Sequence, residues 1–315
     1  MLMKLQRPLC TNKIFIENNQ NKTIINQFNK ILFLLFLSPL MMVGQQLETP
    51  FSQIGENQLL WNGAMAGIHQ QNHLSLRYRH QLVGFEGAPQ TVALNFDAFV
   101  GKKVGLGFSL MNDGIGPINM TLLKVDYAYH LPTDNGTISW GLSAEMRNFQ
   151  GDFSSLTTIE AGDLTFAENI NRWMPNFGTS LVYYEEKLTL GMSVPFLLEP
   201  ILYDKQDPLQ KASPLTRQII GFGSYSFSIS KDFIVKPMVL YRQLGLLESE
   251  LHTQVQFILK EKVELGIGYQ TNGNTAASLG IHLPNSIRLN YAYQWTNATS
   301  MVSLGGHEIG ISWQY

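Results

Sequence analysis

From Asn72 to Tyr315, apolar and polar side chains alternate in stretches of roughly ten residues separated by turn residues, the two-residue period of strands whose faces meet different surroundings. In the last stretch Ile309, Ile311, Trp313 and Tyr315 share one face, and Glu308, Gly310, Ser312 and Gln314 share the other. Residues 286–295 oppose Ile287, Leu289, Tyr291, Tyr293 and Trp295 to Arg288, Asn290, Ala292 and Gln294. Near the start, Leu74, Leu76 and Tyr78 oppose Ser75, Arg77 and Arg79, and Val92, Leu94 and Phe96 oppose Ala93, Asn95 and Asp97. A charged side chain facing lipid near the bilayer midplane costs roughly 2–4 kcal/mol, so the charged faces are assigned to an interior and the apolar faces to lipid. A soluble sandwich also alternates, and alternation alone does not separate the two.

Connection lengths do. About fourteen strands are counted between residues 72 and 315, among them 103–112, 120–131, 176–185 and 216–230. Every second connection is short, as at Gly101 to Lys102, Pro132 to Gly136, Glu186, Lys231 to Asp232, Glu261 and Pro284 to Asn285. The intervening ones are read as longer, most of all 150–175 and 196–214. A sandwich has no reason to alternate in this way, whereas an outer-membrane barrel has short periplasmic turns and longer external loops. The predicted fold is therefore all-β: a transmembrane antiparallel β-barrel closed by a strand whose Trp313 and Tyr315 form an aromatic terminal signal at the interface.

Composition supports this class. Only 15% of the 315 residues are charged, 11% are aromatic, and there are 27 glycines, a thin charge for a soluble surface of this size. A net charge of −2 gives no reason to expect nucleic acid. The one long apolar run, residues 31–43 after Lys30, has the length of a signal-peptide core with Gly44 as its cleavage position. Residues 1–44 are thus read as an extended N-terminus plus signal peptide. Cys10, the only cysteine, falls in the removed part and leaves the mature chain without thiol chemistry. Segment 45–71 is richer in Ala, Gly and Asn than in alternation, and is read as either a periplasmic strap or a plug in the lumen.

The candidate site residues follow from the faces. Arg77, Arg79, Asp97, Lys124, Asp126, Glu145 and Arg147 come from the first five strands and are expected to form a connected lumen charge network, a salt-bridge web in preference to a solute site. Lys236, Arg242, Lys260, Glu264, Arg288 and Glu308 continue the lining. Asn112 to Pro117 reads as a tight external loop, with Asp113 and Pro117 as contacts. A single acid there is too few for calcium. Phe85, in the turn Gly84 to Pro89, is either a partner anchor or loop packing. Seven histidines scatter over the strands without a G-x-S-x-G elbow, so no catalytic, cofactor or metal residues are assigned and no enzyme is expected.

Pro50-Phe51-Ser52-Gln53 followed by Asn62-Gly63-Ala64-Met65-Ala66-Gly67 resembles the opening of the PorP/SprF proteins of the Bacteroidetes type IX secretion system, which usually reads PxFSQ and then NPAYAG. The resemblance continues through 74–100, 105–132, 138–149 and 175–200, most specifically in Tyr78 to Pro89 and Met111 to Pro117. Gly63 stands where the family more often has Pro, and Trp61 is bulkier than typical. The resemblance implies an outer-membrane component or accessory of type IX secretion that touches periplasmic ring lipoproteins and serves export or surface anchoring of cargo such as gliding adhesins. The alternative is a gated or passive pore for a small solute.

Overall fold

A computed structural model describes residues 51–155, 169–198, 217–244, 248–271, 273–296 and 305–315. The signal-peptide reading of 1–44 lies outside them. The strands are β1 (His73–His80), β2 (Gln90–Val100), β3 (Val104–Ile115), β4 (Ile118–Pro132), β5 (Thr137–Gly151), β6 (Ile170–Tyr184), β7 (Leu188–Val194), β8 (Gln218–Tyr225) and β9 (Phe227–Ser230). They continue as β10 (Phe233–Leu244), β11 (Glu248–Leu259), β12 (Val263–Gln270), β13 (Asn274–Leu283), β14 (Ile287–Thr296) and β15 (Gly306–Gln314). Neighbours pair antiparallel throughout. The ring closes where β15 pairs with β1, from His73 opposite Gln314 to His80 opposite His307. Because β8 and β9 both pair with β10, they are two pieces of one stave, and the barrel has fourteen.

The alternation places the side chains as the polarity of each face requires. Ser75, Arg77 and Arg79 are buried inside while Leu76 and Tyr78 point out, and Ile309, Ile311, Trp313 and Tyr315 form the outer face of the last stave. Tyr315 exchanges backbone hydrogen bonds with Asn72 in both directions, and its ring stacks on Trp313 at 4.3 Å. The aromatic end thus finishes the seam.

Four departures from the sequence reading have physical reasons. The loop expected from Asn112 to Pro117 shrinks to Gly116 and Pro117, because β3 runs to Ile115 and pairs it with Ile118. Gly116 takes the positive φ of 53° that this turn needs, and the Asn112 amide donates to Asn119 Oδ1 and Thr121 Oγ1 across the strands. Two other external connections, 245–247 and 271–273, are as short as the periplasmic turns, so long loops do not occupy every second position. Strand β6 starts at Ile170, six positions before the predicted 176, and carries Pro175 opposite Met146. The single strand expected over 216–230 breaks at Ser226, where Lys236 and Pro237 of β10 face the gap. Proline has no N–H to offer the ladder.

Candidate functional site: a plugged lumen

Residues 51–72 do not form a wall strand. They run down the inside of the barrel, from Phe51 in an apolar cluster with Ala93, Met111 and Leu122 to Asn72 at the seam. A one-turn helix α1 (Gln58–Trp61) and a 3-10 turn at Gly63–Met65 fold this segment, and the Asn62 side chain caps the turn by accepting from Ala64 N. Such a short segment cannot satisfy its own backbone, so its groups need partners from the wall.

Wall side chains supply them. Glu308 accepts from Ser52 N and Oγ, each at 2.8 Å, and Gln254 Oε1 accepts from Ile54 N. Lys124 Nζ donates to Leu59 O at 2.6 Å. Ser180 Oγ accepts from Ala64 N at 2.8 Å, while Ser139 Oγ donates to Ala64 O. Asp97 Oδ2 accepts from Gly67 N at 2.9 Å, and a His130 ring nitrogen lies 2.9 Å from Ala66 O. A neutral bond of this kind is worth about 0.5–1.5 kcal/mol net, one to a charged group about 1.5–3 kcal/mol, and a buried group left unpaired is costly.

The small residues of the Asn62 to Gly67 block have a steric reason. Ala64 and Ala66 are fully buried. A Cβ on Gly105 would overlap the Ala66 carbonyl, and one on Gly141 would overlap Ala64 N. Gly67 combines a φ of 72° with a close approach to Gly105. Trp61 fills the opposite side, edge-on to Phe222 at 5.0 Å.

The predicted charge residues line the lumen as close pairs, with Lys124 of β4 directly opposite Glu145 of β5. Lys124 pairs with Asp126 at 2.8 Å, and Arg147 with Glu145 at 2.8 Å. In each case the partners are two apart on one strand and so share a face. Arg147 also lies over the Phe196 ring at 4.5 Å. Arg79 reaches across the seam to Glu308 at 3.1 Å. Arg77 and Asp97 turn to the plug. Arg77 binds Glu56 of the plug, and Asp97 holds His73 at 3.0 Å and the plug at Gly67.

Sequence reasoning missed Glu56, which binds two arginines of the wall. It is paired with both Arg77 and Arg288, and Arg288 also pairs with Glu264. Burial pushes the Glu56 carboxyl up, but Arg288 and Arg77 outweigh it and lower the group from 4.5 to about 2. A lone acid in an otherwise uncharged stretch was the available signal.

Other site residues move. Asp113 is no loop contact: it sits on β3 opposite Thr91, whose hydroxyl donates to it at 2.5 Å. Pro117 does occupy its turn, half-buried. Lys260 leaves the lumen for the exposed β11–β12 turn, where its φ is 49°. Phe85 stands 66% exposed at the tip of the first external loop, which excludes inward loop packing.

The model of the type IX secretion system membrane protein PorP/SprF family matches residues 43–313. The chain belongs to the PorP/SprF family. Among solved structures, Omp33 of Acinetobacter baumannii matches with a TM-score of 0.50 at 6% identity over 78% of this chain and 98% of that one. The Ralstonia pickettii toluene transporter TbuX matches with a TM-score of 0.48 at 10% identity, covering 81% and 92%. No curated protein matches the chain. With the family match, the barrel architecture places this PorP/SprF protein in the outer membrane as a multi-pass barrel of the type IX system.

Proposed function

We propose that this PorP/SprF protein acts as a docking barrel of type IX secretion and is neither an open diffusion pore nor an enzyme. In this reading it supports export or surface anchoring of cargo such as gliding adhesins, and its periplasmic rim contacts the ring lipoproteins of the apparatus. The observation that carries the reading is the occupied lumen: the chain's own residues 51–72 fill the bore, hydrogen-bonded to side chains from most of its circumference. A bore filled this way favours binding at the rims over passage of a solute.

The test is a mild-detergent pull-down of the tagged full chain from native outer membrane, paired with conductance in planar bilayers. Recovery of ring lipoproteins or one large surface protein, with a silent bilayer, is the expected result. Recovery of the barrel alone, with steady conductance, transfers the function to a pore.

A further inference from the structure

Among the described residues, β6 before Thr179 and β9 both run past the strand that neighbours them on one side, and β9 does so at the periplasmic end. Pairing of β7 with β8 ends at Leu188 opposite Tyr225, and a last bond runs from Ser226 N to Lys187 O at 2.8 Å. Past that point β9 pairs with β10 alone, through Phe227 opposite Val235, Ser228 opposite Ile234 and Ser230 opposite Phe233. The other edge of Phe227–Ser230 has no backbone partner among the described residues.

The environment of this edge is aqueous. It ends in the Lys231–Asp232 turn, and the Glu185-Glu186-Lys187 turn stands at its foot. These are periplasmic turns, on the same side of the barrel as the seam end of Tyr315. Hydrocarbon offers no partners to an unpaired strand edge, so such an edge does not lie against lipid. Water does accept it, and its apolar side chains continue the outward row of Ile219 and Tyr225 past the end of β7. Phe227 is 48% and Ile229 64% exposed, on one face of β9.

Exposed edges in stable proteins are blunted by lysine, proline or a covering loop. Phe-Ser-Ile-Ser has neither residue. The edge is open because β7 begins only at Leu188, opposite Tyr225, while the β9–β10 hairpin runs on to the Lys231–Asp232 turn.

We propose that β9 is a docking edge, and that its occupant is an extended segment of a periplasmic protein added as one further strand beside Phe227–Ser230. Main-chain bonds to the open edge supply affinity, and alternate apolar side chains over Phe227 and Ile229 supply selectivity. Glu185, Glu186 and Asp232 in the two turns, against Lys187 and Lys231, leave a net negative charge that matches a basic residue flanking that segment. The inference deepens the docking reading above and rests on it for the partner's membership of the secretion system.

The experiment places a photoreactive benzoylphenylalanine at Phe227, and separately at Ile229, in the full chain in its native outer membrane. Adducts are mapped by mass spectrometry. The expected result is attachment from both positions to one short segment of a single periplasmic protein, at sites about two residues apart, as alternate side chains of paired strands require. Phe227→Lys with Ile229→Lys is expected to abolish recovery of that protein while the barrel keeps its heat-modifiable gel mobility. Adducts to lipid alone, to a second copy of this chain, or scattered over many proteins overturn the proposal. So does unchanged recovery of the partner with the lysine pair, which leaves the secretion reading standing. A single adduct to a periplasmic protein outside the secretion system upholds the edge and overturns the secretion reading.

Discussion

The plug separates two chambers of opposite character. The one toward the external loops, about 90 Å³, is lined by Phe51, Leu60, Trp61, Leu122 and Phe196, with Arg147 and Arg242 also in its wall. The one toward the periplasmic turns, about 360 Å³, is lined by Glu56, His69, Arg77, Lys236, Glu264 and Arg288 among others. One side of the same short segment is therefore held by hydrophobic packing together with the bonds from Ser52 to Glu308, and the other by ion pairs through Glu56. Hydrophobic packing is non-directional and indifferent to pH. Ion pairing is directional, and removing one member leaves buried charge behind.

The largest effect is expected at the ionic side. Glu56→Ala strips Arg77 of its ion-pair partner and Arg288 of one of its two, and a buried pair broken from one end costs about 3–5 kcal/mol. Thermal unfolding in detergent, together with the onset of bilayer conductance, measures it. An unchanged melting point would mean that packing alone holds the plug.

At the apolar side, Leu122→Ala removes a side chain that is almost wholly buried and is expected to cost about 3 kcal/mol through the cavity it leaves. This loss should be the same at neutral and acid pH, whereas that of Glu56→Ala should not. Gly141→Ala sets a methyl against the plug backbone at Ala64 and is expected to cost roughly 1–3 kcal/mol as overpacking. Protease cleavage within 51–72 added from the periplasmic side reads the displacement.

Acid titration separates the two sides without mutation. Glu56 binds its proton less readily in the folded chain than in the unfolded one, so its contribution is complete above pH 4.5 and is lost as pH falls toward about 2. Wild-type stability should decline through that window, and the Glu56→Gln variant should decline less. The smallest effect belongs outside both chambers: Phe85→Ala, at an exposed loop tip, is expected to stay within about 0.5 kcal/mol of wild type.

Much of the barrel was legible in the chain because a strand's period of two is a local property. Arg77 beside Leu76, or Glu308 beside Ile309, reveals its face without knowledge of any neighbour. Connection lengths misled where turn-forming residues were taken for loop: Asn112 and Asp113 are common in turns, yet here they are held in β3 by partners on β4 and β2. Likewise Pro237 is visible in the sequence, but the gap it faces, between β8 and β9, lies on the neighbouring stave.

What the sequence by itself determined is the barrel: the alternating faces, the aromatic terminal strand, the periplasmic turns and, through the Phe51 to Gly67 motifs, the family. Only the tertiary structure decided that residues 51–72 are a plug, that Glu56 joins Arg77 to Arg288, and that β9 keeps an open edge. The reason is distance along the chain. Ser52 meets Glu308 across 256 positions and Ile54 meets Gln254 across 200. No local period encodes contacts of that kind; they exist once the ring has closed and the stagger of its strands has set which side chains share a level of the lumen.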